Sequence, residues 1–209
     1  METKGMPKGL EALPEHIRDK AADQFKPRTD TVKNYLTAYA SRTDTTDGTM
    51  IMNFDAMTIY HLNPGNKTYT KFDVMSQGED GGMGQAFIQG MTKDVQISST
   101  DETKEISGYK CKKYIMKLMG EESEYWLSKD VEGYDEFREM TEKMKKMFEK
   151  SPMLGQTNMV GIISKLDGFP IMIVMNMMGM KTVTTLKKVE KKSLSKDLFK
   201  VPEGYKLQK

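Results

Sequence analysis

Apolar and polar residues alternate with a period of two in segments between Val32 and Phe72 and again between Val95 and Ser128, and short apolar runs set off by turn residues follow from Met159 to Glu190. The pattern predicts strands in all three stretches. Residues 32–42 open the first, carrying Tyr35, Leu36, Tyr39 and Ala40, and Thr45-Thr-Asp-Gly48 reads as a turn. Residues 49–54 place Met50, Met52 and Phe54 on one face, while residues 57–62 set Met57, Ile59 and His61 against Thr58, Tyr60 and Leu62. Asn63-Pro-Gly-Asn66 is a turn because Pro fixes φ and Gly or Asn accepts a positive φ, which makes residues 67–72 the hairpin partner. Residues 95–98 and 104–106 flank a charged turn, and residues 109–118 and 122–128 form a hairpin around Gly120. Residues 159–165, 169–178 and 181–190 are expected as a meander of strands.

Two stretches change period. Leu10, Leu13, Ile17 and Ala21 recur every three or four residues, predicting a short amphipathic helix over 7–24. Phe137, Met140, Met144, Met147 and Phe148 share one helical stripe over 134–150, which Ser151-Pro152 ends. The Gly-rich residues 76–84 read as a loop and 85–91 as a short helical piece. The expected organisation is an N-terminal helical segment, residues 1–30, followed by one β-rich domain over 31–209 with a helical insertion at 134–150.

Composition narrows the function. Lys and Arg number 32 against 30 Asp and Glu, for a net charge of +2 with both signs interspersed. The clusters at 143–146 and 187–192 are interrupted by Glu or apolar residues and read as solvated faces, so no nucleic-acid partner is expected. The basic tail offers at most a peripheral contact to an anionic membrane surface. A single cysteine, Cys111, excludes an internal disulfide and a multi-cysteine metal site. No apolar run is long enough to span a bilayer, and Met1-Glu-Thr-Lys-Gly5 lacks the apolar stretch of a signal peptide, so an exported protein would carry its targeting segment outside this sequence.

Enzyme chemistry needs convergent groups, and the chain has no HExxH pair, nucleophile elbow or triad-like context around His16 or His61. Cys111, in an alternating strand, reads as a small buried hydrophobe. Gly78-Glu-Asp-Gly-Gly-Met-Gly84 is acidic and lacks a Lys-Ser or Lys-Thr ending, so it would repel phosphate. No catalytic residue, resident metal or cofactor is assigned. The unusual feature is the count of 20 methionines. Methionine fills irregular apolar space and lines adaptable binding surfaces, and its thioether also ligates soft Cu(I).

Gly108-Tyr-Lys-Cys-Lys-Lys-Tyr114 followed by Glu124-Tyr-Trp-Leu-Ser-Lys-Asp130 resembles the core of an uncharacterised family of bacterial envelope proteins, a domain of unknown function related to the LolA-like lipoprotein carriers. Ile59-Tyr-His-Leu-Asn63 with Lys67-Thr-Tyr69, Gly168-Phe-Pro-Ile171 and the ending Phe199-Lys-Val-Pro-Glu-Gly-Tyr205 extend the likeness from Val32 to Tyr205. It implies an α+β, mainly β fold: a curved antiparallel sheet, a half barrel, covered by one or two helices. It also implies a periplasmic or outer-envelope location. The expected function is non-catalytic binding or carriage of a hydrophobic small molecule or lipid, with wall residues Met116, Leu118, Trp126, Phe137, Met140, Met144, Ile173 and Met175 and helix 134–150 as a lid. A Met-rich copper-handling protein using His61 and an interaction or scaffold module are the two alternatives.

Overall fold

The computed structural model describes residues 1–4, 27–73, 95–118, 120–150, 159–177 and 180–208. The expected N-terminal helix, the Gly-rich loop and the piece at 85–91 lie outside these residues. The chain divides into two compact units, the first made of Met1–Asp30, Asp94–Val131 and Lys165–Val189, the second of Thr31–Lys93, Glu132–Ser164 and Glu190–Lys209. Each unit is built on its own open sheet. The strand pattern is therefore mainly β as expected, but the single curved sheet is instead two.

In the first unit, β1 (Glu2–Lys4), β2 (Arg28–Thr29), β8 (Gln96–Ile106), β9 (Tyr109–Leu118), β10 (Glu121–Ser128), β11 (Phe169–Met177) and β12 (Met180–Thr185) form an antiparallel sheet in the order β2-β1-β12-β11-β10-β9-β8. β8 runs through the charged turn expected at 99–103. The ladder absorbs those residues as a register shift between Ser99 and Thr103 rather than as a chain reversal. The reversal comes at Ser107 and Gly108, whose φ angles of 52° and 81° are those of a two-residue hairpin loop matching the strand twist. β12 stops at Thr185, short of the expected 190; the Leu186 N–H still donates to the Ile171 carbonyl at 2.7 Å, and Leu186 and Val189 pack against Cys111, Trp126, Val131 and Ile171. A second irregularity lies between Trp126 and Leu127, where Met172 and Pro170 are their respective partners and Ile171 is the extra residue. Just before it, a Cβ on Gly168 would stand 2.8 Å from the Leu127 Cβ, so the strand can enter this closely only as glycine.

In the second unit, β3 (Lys33–Leu36), β4 (Ala40–Asp44), β5 (Thr49–Asn53), β6 (Thr58–Asn63) and β7 (Thr68–Asp73) form consecutive antiparallel hairpins, and β13 (Lys206–Leu207) joins β7 in parallel. Helix α1 (Tyr134–Lys150) has the predicted boundaries, with Asp135 and Glu136 in its first turn and Lys150 in its last, each complementing the helix dipole. Its apolar stripe packs on the sheet: Phe54, Met140, Met147 and Phe148 form a buried cluster, with Leu36, Met52, Met57, Ile59, Phe137 and Met144 around it. The opposite face is covered too. Ala40, Ile51, Leu62 and Phe199 are buried there, with Tyr35, Tyr60, Tyr69, Leu198 and Tyr205 against them, and Arg42 donates to the Leu198 carbonyl at 2.9 Å. Two-sided burial explains why Ile51, not Met50, is the fully buried residue of β5.

Residues 159–165, expected as a strand, form a second helix, α2 (Met159–Lys165). A short apolar run carries no period that separates strand from helix, and among its described side chains Ile162 is buried. Among the described residues, no helix is long and apolar enough to cross a membrane.

Candidate functional site

The register of the seven-stranded sheet assigns its side chains to two faces. Directly paired residues share a face, so Ile97 with Met116, Ser99 with Tyr114, Tyr114 with Tyr125, Tyr125 with Ile173, and Leu118 with Glu121 all lie on one side. Met175 follows Ile173 on that side by the period of two. The result is an apolar face crossing four strands, β8 to β11, made of Ile97, Tyr114, Met116, Leu118, Tyr125, Ile173 and Met175. Most are half-buried, and Met175 is 37% exposed.

At one margin of this face lies an open depression of about 370 Å³ lined by Ile97, Ser99, Lys112, Tyr114 and Lys165. It combines an aliphatic and an aromatic wall with a hydroxyl and two ammonium groups. The Lys112 ammonium stands 6.0 Å from the centre of the Tyr114 ring. Burial raises the Tyr114 phenol above its usual range, Asp167 adds to the rise and Lys129 opposes it, so the hydroxyl stays protonated and able to donate. Burial likewise raises Tyr125.

The other face of the same sheet is a closed structural network. Trp126 pairs with Lys113 and Met172, and its ring lies under the Lys104 ammonium at 4.0 Å and near that of Lys113 at 5.5 Å. Its indole N–H donates to Glu124 Oε2 at 3.1 Å. Burial alone would raise the Glu124 carboxyl, but this hydrogen bond and Lys113, 3.4 Å away, reverse the effect and hold it below its ordinary value. Burial would lower the Lys113 ammonium, and Glu102 with Glu124 more than offset that. Cys111, 1% exposed, has its thiol pushed up mainly by burial, so it stays an unreactive thiol.

The structure thus divides the eight expected wall residues. Met116, Leu118, Ile173 and Met175 share the apolar face. Trp126 stands on the opposite face, inside the cluster with Cys111 and Ile171. Phe137, Met140 and Met144 lie in the second unit, where they pack with Phe54, Met147 and Phe148 between α1 and the six-stranded sheet. Tyr114, Tyr125, Lys112 and Lys165 complete the site and were not singled out for it from sequence. The two tyrosines lie in the same alternation as Met116, but nothing in a single strand reveals that Lys165 is near. Among the described residues, no three His, Cys, Asp or Glu side chains group as a metal site would need.

The chain is thus a β-rich protein of two open sheets, one of which carries an apolar face with a cationic margin. It belongs to the family described as "Domain of unknown function (DUF4412)", whose model matches residues 24–205. No curated protein matches the chain. Solved structures of PNGF-II in two crystal forms are similar over 99% of this chain, with TM-scores of 0.40 and 0.41 and identities of 14% and 11%. The chain corresponds to only 29% and 30% of those chains, and so distant a likeness bears on neither fold nor function.

Proposed function

We propose that this protein is a non-catalytic binder of a hydrophobic ligand, a lipid or acyl chain, and that the ligand lies on the apolar face of the seven-stranded sheet. The observation that carries the reading is the gathering of Met116, Leu118, Ile173 and Met175 with Tyr114, Tyr125 and Ile97 on one side of four adjacent strands. Unbranched thioethers give such a wall adaptable packing for flexible chains. The depression falls in the size range of small-molecule sites, and Lys112 with Lys165 suits a ligand whose polar end is anionic. The resemblance to the LolA-like carriers supports both the ligand class and a place in the periplasm or outer envelope. A scaffold reading is less well supported, because the long strand β8 at the end of the sheet order carries Asp101, Glu102, Lys104 and Glu105 and a register shift, features that discourage strand addition.

Native mass spectrometry of the purified chain, with organic extraction of what it carries, tests the reading. Bound lipid near one per chain is expected, and Met116→Glu or Ile173→Glu should abolish it while preserving the circular dichroism spectrum. Absence of lipid from the native protein, together with no uptake of a fluorescent long-chain fatty acid, would overturn it.

A further inference from the structure

We infer that Met50 and His61 form a binding site for a soft monovalent cation, Cu(I) or its surrogate Ag(I), on the six-stranded sheet. The two residues are direct cross-strand partners in the β5–β6 ladder. Side chains so paired have Cβ atoms about 5 Å apart, close enough for a thioether sulfur and an imidazole nitrogen to meet at one ion.

Packing accounts for Met52, Met57, Met140, Met144 and Met147 in the second unit, all of which belong to the cluster beneath α1. It does not account for Met50, which is 42% exposed beside an exposed histidine. The row across the sheet is Thr43, Met50, His61 and Thr70, so the donors flanking the pair are neutral hydroxyls rather than the carboxylates that hard divalent ions prefer. The His61 ring is exposed, and its Cε1 and Nε2 lie beside the buried Gly48, where a Cβ would stand 3.7 Å from each. Thioether plus imidazole selects Cu(I) over harder ions, and both donors are uncharged, so the ion keeps its charge at a solvent-facing position.

Titration of the full chain with Ag(I), followed by NMR of methyl-¹³C methionine and of the histidine ring, resolves the site by residue. The Met50 methyl and the His61 ring should shift together and saturate near one equivalent, with His16 as the internal control. Met50→Leu and His61→Asn, both at exposed positions, should each weaken that binding at least tenfold. Cys111→Ala should leave the Met50 and His61 responses unchanged, which separates this site from silver capture by the thiol. Met50 and His61 resonances that stay still through the first equivalent, or wild-type affinity in both variants, would refute the site.

Discussion

Replacing Met147 by Ala tests whether α1 is core or cover. Met147 is 0% exposed and sits among Phe54, Met140 and Phe148. The substitution deletes three heavy atoms, which at about 0.8 kcal/mol per buried methylene-sized group is roughly 2.4 kcal/mol of lost transfer energy. The cavity left between a helix and a sheet that is also packed from behind can collapse only in part, so the total should reach about 3–4 kcal/mol, inside the usual range for Met→Ala in a core. Urea unfolding followed by far-ultraviolet circular dichroism is the appropriate assay, because the helical signal of α1 arises in the second unit while the single tryptophan, Trp126, reports on the first. With a denaturant slope of about 2 kcal/mol/M, the midpoint should fall by roughly 1.5–2 M. A fall below about 0.5 M would mean that the stripe of α1 is not locked into the sheet, and the assignment of Phe137, Met140 and Met144 to the core would go with it.

Glu124→Gln should reduce stability at pH 7 by less than about 1 kcal/mol, the carboxylate being partly solvated, and by less near pH 3 than at pH 7. The folded-state value is depressed, so the contribution is complete above the ordinary value of 4.5 and is lost as pH falls below it; an equal difference at both pH values would contradict this. Native Cys111 should resist thiol reagents and react fully once the chain is unfolded, and immediate modification of the folded protein would show that the thiol is neither buried nor held protonated.

Local chemistry was readable in the chain; pairing was not. Helix 134–150 shows in a stripe with helical spacing, and the turns at 45–48 and 63–66 show in residues whose backbone preferences are narrow. Within β9, alternation alone places Tyr114, Met116 and Leu118 together. Trp126 eluded that reasoning because its side depends on whether it opposes Lys113 or Tyr114, and a one-residue difference in register moves a side chain to the other face. Alternation correctly sets Met50 with Met52 and Phe54 and against Ile51, but it does not tell core from surface where both faces of a sheet are partly covered: Met50 is 42% exposed and Ile51 is buried. The division of strands between two sheets rests on contacts far apart in sequence, such as β1 with β12, which no local window contains.

Each unit is assembled from three separated stretches of chain, and this bears on how the protein is made. The hairpins of β3 to β7 emerge from the ribosome long before Phe199 and Tyr205, which shield one of their faces, have been synthesised. β1 must likewise wait for β12. Neither unit can finish folding during most of translation, so nascent strands with uncovered oily faces persist for seconds. Escape from aggregation in that interval then depends on chaperones or on speed of synthesis, not on the stability of the finished molecule.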